Sequence, residues 1–363
     1  MKSIGPVVAL ALCIGCASEE IASVSMVPEL PAPQTQQHES HLLVLKNDAV
    51  VVAILPDVGG RVVVLRRPDG NNVLKSHPEQ WDASTDERIT PSPDAGWKGY
   101  NGHIVWLGPQ SGFWTQQDAN ANRKKHRAGW PPDPYLIYGS YEVSDRTPTS
   151  VTMTSPKSEV SGLQLTKKVS LAGDGVVTFE VTGTNIRTTP VSWDLWSNTR
   201  MEGVHCCYVP LARKRHFKLE FQTDNAIDTH ATPYRVVDGM FTFSVEDFFA
   251  TGAKGCVAKA FIDPAEGTIV GFTPTDAFVK KAERVDPRQT HPQQSFVEIY
   301  QQISATDPKN SLLELEMHGP FETLAPGESM SWRETWRVMA YDGPRDPASH
   351  AGFARANGLV SGE

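Results

Sequence analysis

From His41 onward, short apolar stretches alternate with polar residues and are cut off by turn formers, a rhythm that points to many short strands. Period-two alternation is plain in Tyr141, Glu142 and Val143, in Val151, Thr152, Met153 and Thr154, and at Val177, Phe179 and Val181. No helical period of useful length appears before the C-terminus. The 27 prolines and 28 glycines are spread among these runs, which suits turns between strands better than long helices.

The apolar stretch 43–55 is broken only by Lys46, Asn47 and Asp48, and reads as a hairpin. Gly59 and Gly60 lead into an apolar run over 61–65. A turn at Pro68, Asp69, Gly70 and Asn71 then returns the chain through Val73 and Leu74, a second hairpin. In 163–171 the inward register holds Leu163, Leu165, Val169 and Leu171, with Lys167 as its one charge, either an edge-strand device or an ion-pair partner. Later strands are expected over 241–245, 269–273, 296–302, 312–317 and 332–339. Residues 78–135 carry no sustained period but hold Trp81, Trp97, Trp106, Trp114 and Trp130; a long aromatic segment of this kind is usually functional. Asp346 and Pro347 open a short terminal helix over 348–356, as N-cap and first-turn proline.

Residues 1–16 have a basic start and an apolar stretch too short to span a bilayer, the pattern of a secretion signal. Leu12, Cys13, Ile14, Gly15 and Cys16 look like a lipoprotein processing site with Cys16 as the lipidated residue, although Cys13 departs from the usual leucine. Plain cleavage near Ala17 to a soluble secreted product and a buried N-terminal strand are the alternatives. The proline-rich, polar segment 17–40 reads as a tether, 41–343 as one domain without an internal boundary, and 344–363 as a tail carrying the terminal helix. The expected location is the periplasm or cell envelope, with an N-terminal lipid anchor as the one membrane contact.

A net charge of −8 offers no basic field for a phosphate backbone, so nucleic acid is not an expected partner. Cys206, Cys207 and Cys256 leave two readings open, a bridge from either of the first two to Cys256, or buried thiols. Their spacing resembles no zinc site, and neither metal nor cofactor is expected. The chain has no Gly-rich phosphate loop, nucleophile elbow, HExxH or paired CxxC.

The order of segments resembles the galactose mutarotase-like (aldose 1-epimerase-like) family. The likeness rests on Gly59 to Leu65 with Pro68, Asp69 and Gly70, on Thr166 to Ser170 and Val177 to Val181 with Thr184, Asn185 and Thr189 to Val191, on Ser295 to Gln301, and on Thr323 to Glu328 with Trp336 to Val338. Asn101, Gly102 and His103, with Trp106, Pro109 and Gln110, then Trp130 to Asp133, resemble an exported bacterial branch of it. The resemblance implies an all-β supersandwich of two large, twisted, mainly antiparallel sheets and a carbohydrate as partner.

In that family a glutamate acts as base and a histidine as acid at the sugar's anomeric centre, and the resemblance places the glutamate at Glu298. Alternation sets Phe296, Glu298 and Tyr300 on one strand face, with Val297 and Ile299 toward the core. The histidine position falls at or near Trp196, so direct transfer fails. His103 is the preferred substitute, with His205 in a shifted register as the other, although a lone histidine is more often structural. Asn101, Arg61, Trp106, Trp130, Trp196 and Glu316 are the expected substrate-binding residues, and Trp114 is a further candidate for the groove. Glu314 and Glu316 share a face roughly 7 Å apart, where arginine partners such as Arg61 or Arg200 are expected. Three functions remain open: a carbohydrate-binding domain, a mutarotase or epimerase, and a lipid-anchored interaction protein using 78–135.

Overall fold

A computed structural model describes residues 42–81, 88–212, 216–221 and 233–361. Where the sequence alternates, the chain is extended: 150–154 and 177–185 turn one face inward, whereas 142–147 is exposed throughout, a departure from the expected half-buried strand. The first strands are β1 (Leu43–Lys46), β2 (Val51–Leu55), β3 (Arg61–Arg66) and β4 (His103–Gly108). Next come β5 (Glu142–Thr147), β6 (Ser150–Thr154), β7 (Leu163–Leu171), β8 (Val177–Asn185) and β9 (Val191–Glu202). They are followed by β10 (Cys206–Pro210), β11 (Phe217–Phe221), β12 (Tyr234–Val237), β13 (Met240–Phe243) and β14 (Gly255–Ile262). The last are β15 (Thr268–Phe272), β16 (Asp276–Ala282), β17 (Val297–Ser304), β18 (Leu312–His318), β19 (Glu322–Leu324) and β20 (Ser329–Ala340).

Two ten-stranded sheets result. The first runs β1-β2-β3-β4-β9-β18-β17-β14-β11, with β19 also on β9, and the second runs β12-β13-β10-β15-β16-β20-β8-β7-β6-β5. Ladders such as β4–β9, β9–β18, β17–β18 and β14–β17 are antiparallel, so the centre of the first sheet joins segments far apart in sequence. Val105, Val297, Ile299, Leu313 and Leu315 of this sheet pack with Phe179, Phe278 and Trp336 of the other in one core. Each such fully buried side chain stabilises the fold by roughly 1.5–3 kcal/mol.

Most strand expectations match the structure, with three differences. Asn47 turns the first hairpin by accepting from the backbone N–H of Ala49 and Val50. The second hairpin is incomplete: Val73 meets Leu65 through one backbone bond, and Asn72 bridges to Leu65 and Val63, so 73–74 lies beside β3 without forming a ladder. The aperiodic 78–135 segment contains β4, a central strand buried on both faces and therefore without alternation. The strand expected over 241–245 stops at Phe243, because Ser244 caps a short helix, α3 (Val245–Ala250).

The short helices α1 (Ala121–Lys125) and α2 (Pro134–Tyr138) lie between β4 and β5. The terminal helix α4 (Pro347–Ala356) starts at Asp346, whose side chain accepts from the Ser349 N–H. Instead of trailing as a tail, it buries Ala351 and Ala354 in a second apolar cluster against Phe272, Val279 and Tyr341. Cys206 and Cys207 are free thiols, so neither forms the bridge to Cys256.

The inter-sheet core also holds charge. Lys280 is fully buried and its Nζ donates to Ser197 Oγ (2.9 Å), Thr199 Oγ1 (3.0 Å) and the Leu315 carbonyl (3.0 Å) of the facing sheet. Its counter-ion is Glu334 at 3.6 Å, which accepts from Ser197 Oγ, Trp332 Nε1 and Trp336 Nε1. A buried charge persists only when paired and hydrogen-bonded in this way.

Candidate functional site

Residues opposite one another in antiparallel strands share a face. On the outer face of the first sheet this register aligns Trp106 with Trp196 and His318, then Asn198 with Glu316, Glu298 and Phe261, then Arg200 with Glu314, Tyr300 and Lys259. Three rows of polar and aromatic side chains thus cross β4, β9, β18, β17 and β14. Above them lies a cavity of about 510 Å³, within the range of small-molecule sites.

Aromatic rings form one side. Trp97 and Trp130 sit 4.6 Å apart and are 37% and 41% exposed, large apolar rings left facing solvent at the mouth. Trp106 meets Trp196 edge-on at 5.0 Å, and the Nε1 atoms of both have no hydrogen-bond partner among the described residues. Such unmet donors are rare in folded proteins. Arg200 lies over Trp97 and Trp106, and Lys259 over Trp196 at 4.7 Å.

The floor is ionic. Arg200 Nη2 pairs with Glu314 Oε1 at 2.7 Å, and Arg200 Nη1 donates to Asn101 Oδ1 at 3.1 Å. Lys259 Nζ lies between Glu298 Oε2 (2.6 Å) and Glu316 Oε2 (2.9 Å), while Asn198 Nδ2 donates to Glu316 Oε1. Beneath, His318 Nδ1 faces Asp194 Oδ1 at 3.0 Å, and its Nε2 faces Glu298 Oε2 at 3.6 Å. Burial alone raises the Glu298 carboxyl, but Lys259 and His318 outweigh it and hold it at about 2. His318 is likewise lowered by burial, yet Glu298 and Asp194 carry it to about 9. Burial pushes Glu316 up to about 7 against the pull of Lys259, with Glu314 and Glu298 adding to the rise.

Asn101 is positioned by an unusual backbone. It has φ +54° and Gly102 φ +72°, and a Cβ on Gly102 would lie 2.3 Å from the Val62 carbonyl oxygen, so this turn requires glycine. Gly102 N–H donates to Lys75 O, and Arg200 N–H donates to Gly102 O, which ties the turn to β9.

Of the residues singled out in the sequence, Asn101, Trp106, Trp130, Trp196 and Glu316 line the cavity. The others need correction. His103 points to the opposite face, between the sheets, where Nδ1 meets Thr199 Oγ1 and the ring packs on Phe179 and Trp336. Burial, then Lys280, holds it well below the usual histidine range, so it is a neutral core residue. Arg61 is 1% exposed and lies behind Asn101, donating to the carbonyls of Asn101 and Ile137. It supports the turn and does not line the cavity. Glu298 lies one layer beneath the cavity wall, covered by Lys259, and accepts from the Ser295 N–H. Trp114 is fully buried, with Nε1 donating to Pro131 O. Lys167 donates to the Gly59 carbonyl and lies over Tyr141, away from the groove.

Sequence reasoning missed His318, Lys259, Asp194 and Asn198. Only His318 left a signal, because the alternation of Glu314 and Glu316 extends to it. It stands opposite Trp196, the position the resemblance assigns to histidine, so an imidazole reaches this part of the sheet from the neighbouring strand. The acids and His318 stand in line and do not converge on a point. Among the described residues, no three of His, Cys, Asp and Glu are grouped to hold a metal ion.

The two ten-stranded sheets form a β-sandwich with the fold of galactose mutarotase-like proteins. A protein from Synechocystis sp. PCC 6803 superposes with a TM-score of 0.52 at 12% identity, covering 88% of this chain and 99% of the other. A galactose mutarotase-like protein from Clostridium acetobutylicum gives 0.50 at 11% identity, covering 84% and 97%. No curated protein matches the sequence. The chain belongs to the family described as a domain of unknown function, DUF4380, whose model matches residues 41–339.

Proposed function

We propose that this protein binds a carbohydrate in the cavity of the first sheet. The observation that carries the reading is one concavity holding an exposed indole pair, Trp97 and Trp130, beside a charged floor of Arg200, Glu314 and Glu316. A pyranose has an apolar C–H face and a rim of hydroxyls, and such a site offers a partner to each. The likeness of fold to a protein named as galactose mutarotase-like agrees with it. Saturation-transfer NMR against neutral and acidic monosaccharides and short glycans tests the reading. At least one sugar is expected to give signals that weaken in Trp130→Ala, and a panel without response would overturn it.

A second reading, interconversion of anomers, is favoured by Glu316, a cavity carboxyl raised to about 7 by burial, and so near the pH at which a group both takes and gives a proton. Glu316, and not Glu298 or His103, would then face the sugar. Polarimetry of freshly dissolved sugar is expected to show acceleration by wild type and loss of it in Glu316→Gln; no acceleration over buffer would reject turnover.

Export belongs to this proposal on sequence grounds alone, since residues 1–16, including Cys16, lie outside the described residues. Cell fractionation with Cys16→Ser tests it, the expected result being loss of the envelope-bound form.

A further inference from the structure

Four buried groups, Asp194, His318, Glu298 and Glu316, and the part-exposed Lys259 form a line of alternating charge along the sheet. Asp194 Oδ1 meets His318 Nδ1 at 3.0 Å, His318 Nε2 meets Glu298 Oε2 at 3.6 Å, Glu298 meets Lys259 Nζ at 2.6 Å, and Lys259 meets Glu316 Oε2 at 2.9 Å. Both ring nitrogens of His318 face carboxylates, a setting that favours the doubly protonated cation. Glu298 therefore stands between two cations and also accepts the Ser295 N–H. Glu316 shares one cation, and its other oxygen accepts from a neutral amide, Asn198. Arg200 gives it no relief, because that guanidinium is engaged by Glu314.

Nearby groups do not change this count. On β9 stand Trp196, Asn198 and Arg200, on β14 Lys259, on β17 Glu298 and Tyr300, and on β18 Glu314 and His318. The Gln294 amide is neutral and lies 2.8 Å from His318 Nδ1; the doubly protonated ring requires the amide turned so that its otherwise unpartnered oxygen accepts there. Lys280 is on the other side of the sheet, 3.6 Å from its own carboxylate, Glu334, and feels Glu316 only as the weaker of the two. Two acids thus compete for Lys259, and the one with the second cation keeps its charge.

We propose that Glu316 carries the exchangeable proton of the cavity, and that His318 is the positioning residue that puts it there by keeping Glu298 ionised. The inference rests on the carbohydrate reading only for the proton's use, as the one a bound sugar's hydroxyl or ring oxygen would exchange. Asp194 holds the His318 ring in line and completes the arrangement.

Carbon-13 titration of the glutamate side-chain carboxyls in the full chain tests this without any sugar, so its failure leaves the binding reading untouched. Glu316, assigned by loss of its signal in Glu316→Gln, is expected to titrate near 7 in wild type. In His318→Gln the proton passes toward Glu298, so the Glu316 midpoint falls by about one unit, tenfold in proton affinity, and that of Glu298 rises. An ordinary carboxylate midpoint for Glu316 in wild type, or an unchanged one in His318→Gln, would overturn the proposal. Should His318→Gln not fold, Asp194→Asn keeps the ring and is expected to move both midpoints the same way by less; no movement there would count equally against it.

Discussion

The two faces of the first sheet both carry buried charge, and they do so from the same strand. On the inner face, Ser197 and Thr199 of β9 meet Lys280, with Glu334 as its single counter-ion and neutral hydroxyls, carbonyls and indoles satisfying the rest. On the outer face, Asn198 and Arg200 of β9 meet Glu316 and Glu314. There three basic groups, His318, Lys259 and Arg200, stand against four carboxyls, Asp194, Glu298, Glu316 and Glu314. The inner network is balanced and closed, and so it fixes how the sheets stack. The outer one has an acid in excess along the cavity wall, with Glu316 itself fully buried beside Lys259. One residue of register separates the two roles, because neighbours along a strand point to opposite faces.

Substitution separates the faces most sharply at Lys280. Lys280→Met is expected to destabilise by about 3–5 kcal/mol, since it leaves Glu334 buried without a counter-ion, and urea denaturation measures it. Lys280→Met with Glu334→Gln should recover much of that loss. Equal stability of the single variant and wild type would break the contrast.

A second effect is expected in the pH dependence of stability. Glu316 in the folded chain keeps its proton up to about 7, whereas an unfolded glutamate loses it near ~4.3. Between these values the folded state binds more protons, so stability falls as pH rises and this contribution levels off above about 7. The folded pKa of His318 is raised instead to about 9, so its contribution is complete below ~6.5 and is lost as pH rises through about 9. Glu316→Gln should therefore abolish the lower part of the decline and spare the upper, as thermal melts across pH can show.

At the mouth, Trp130→Ala should change stability little, because the ring is 41% exposed, yet weaken sugar binding about tenfold, or ~1.4 kcal/mol. Calorimetric titration separates the two effects.

Much of the fold was legible because one-sided burial imprints alternation, as in β8, where every second residue is buried from Val177 to Asn185. The strand β4 was hidden because all six of its residues are buried, so His103 to Gly108 carry no polar beat. The same cause misdirected the reading of His103: without alternation, nothing showed that it faces away from Trp106. For the site, Glu316, Asn101 and the tryptophans could be singled out by residue type, whereas Lys259 could not. It comes from a strand whose place beside β17 is set by long-range pairing, and nothing local in Ala258, Lys259 and Ala260 marks it. Arg61 was a functional candidate by charge and proved structural by position, since sequence does not tell which of two layers an arginine occupies.

The most direct measurement of the central claim is the indole N–H spectrum of the nine tryptophans as sugar is added. Trp97, Trp106, Trp130 and Trp196 are expected to shift together, while Trp114, Trp193 and Trp336, buried away from the cavity, stay in place. Shifts confined to the second group, or none with any carbohydrate, would contradict the assignment of this cavity as a sugar site.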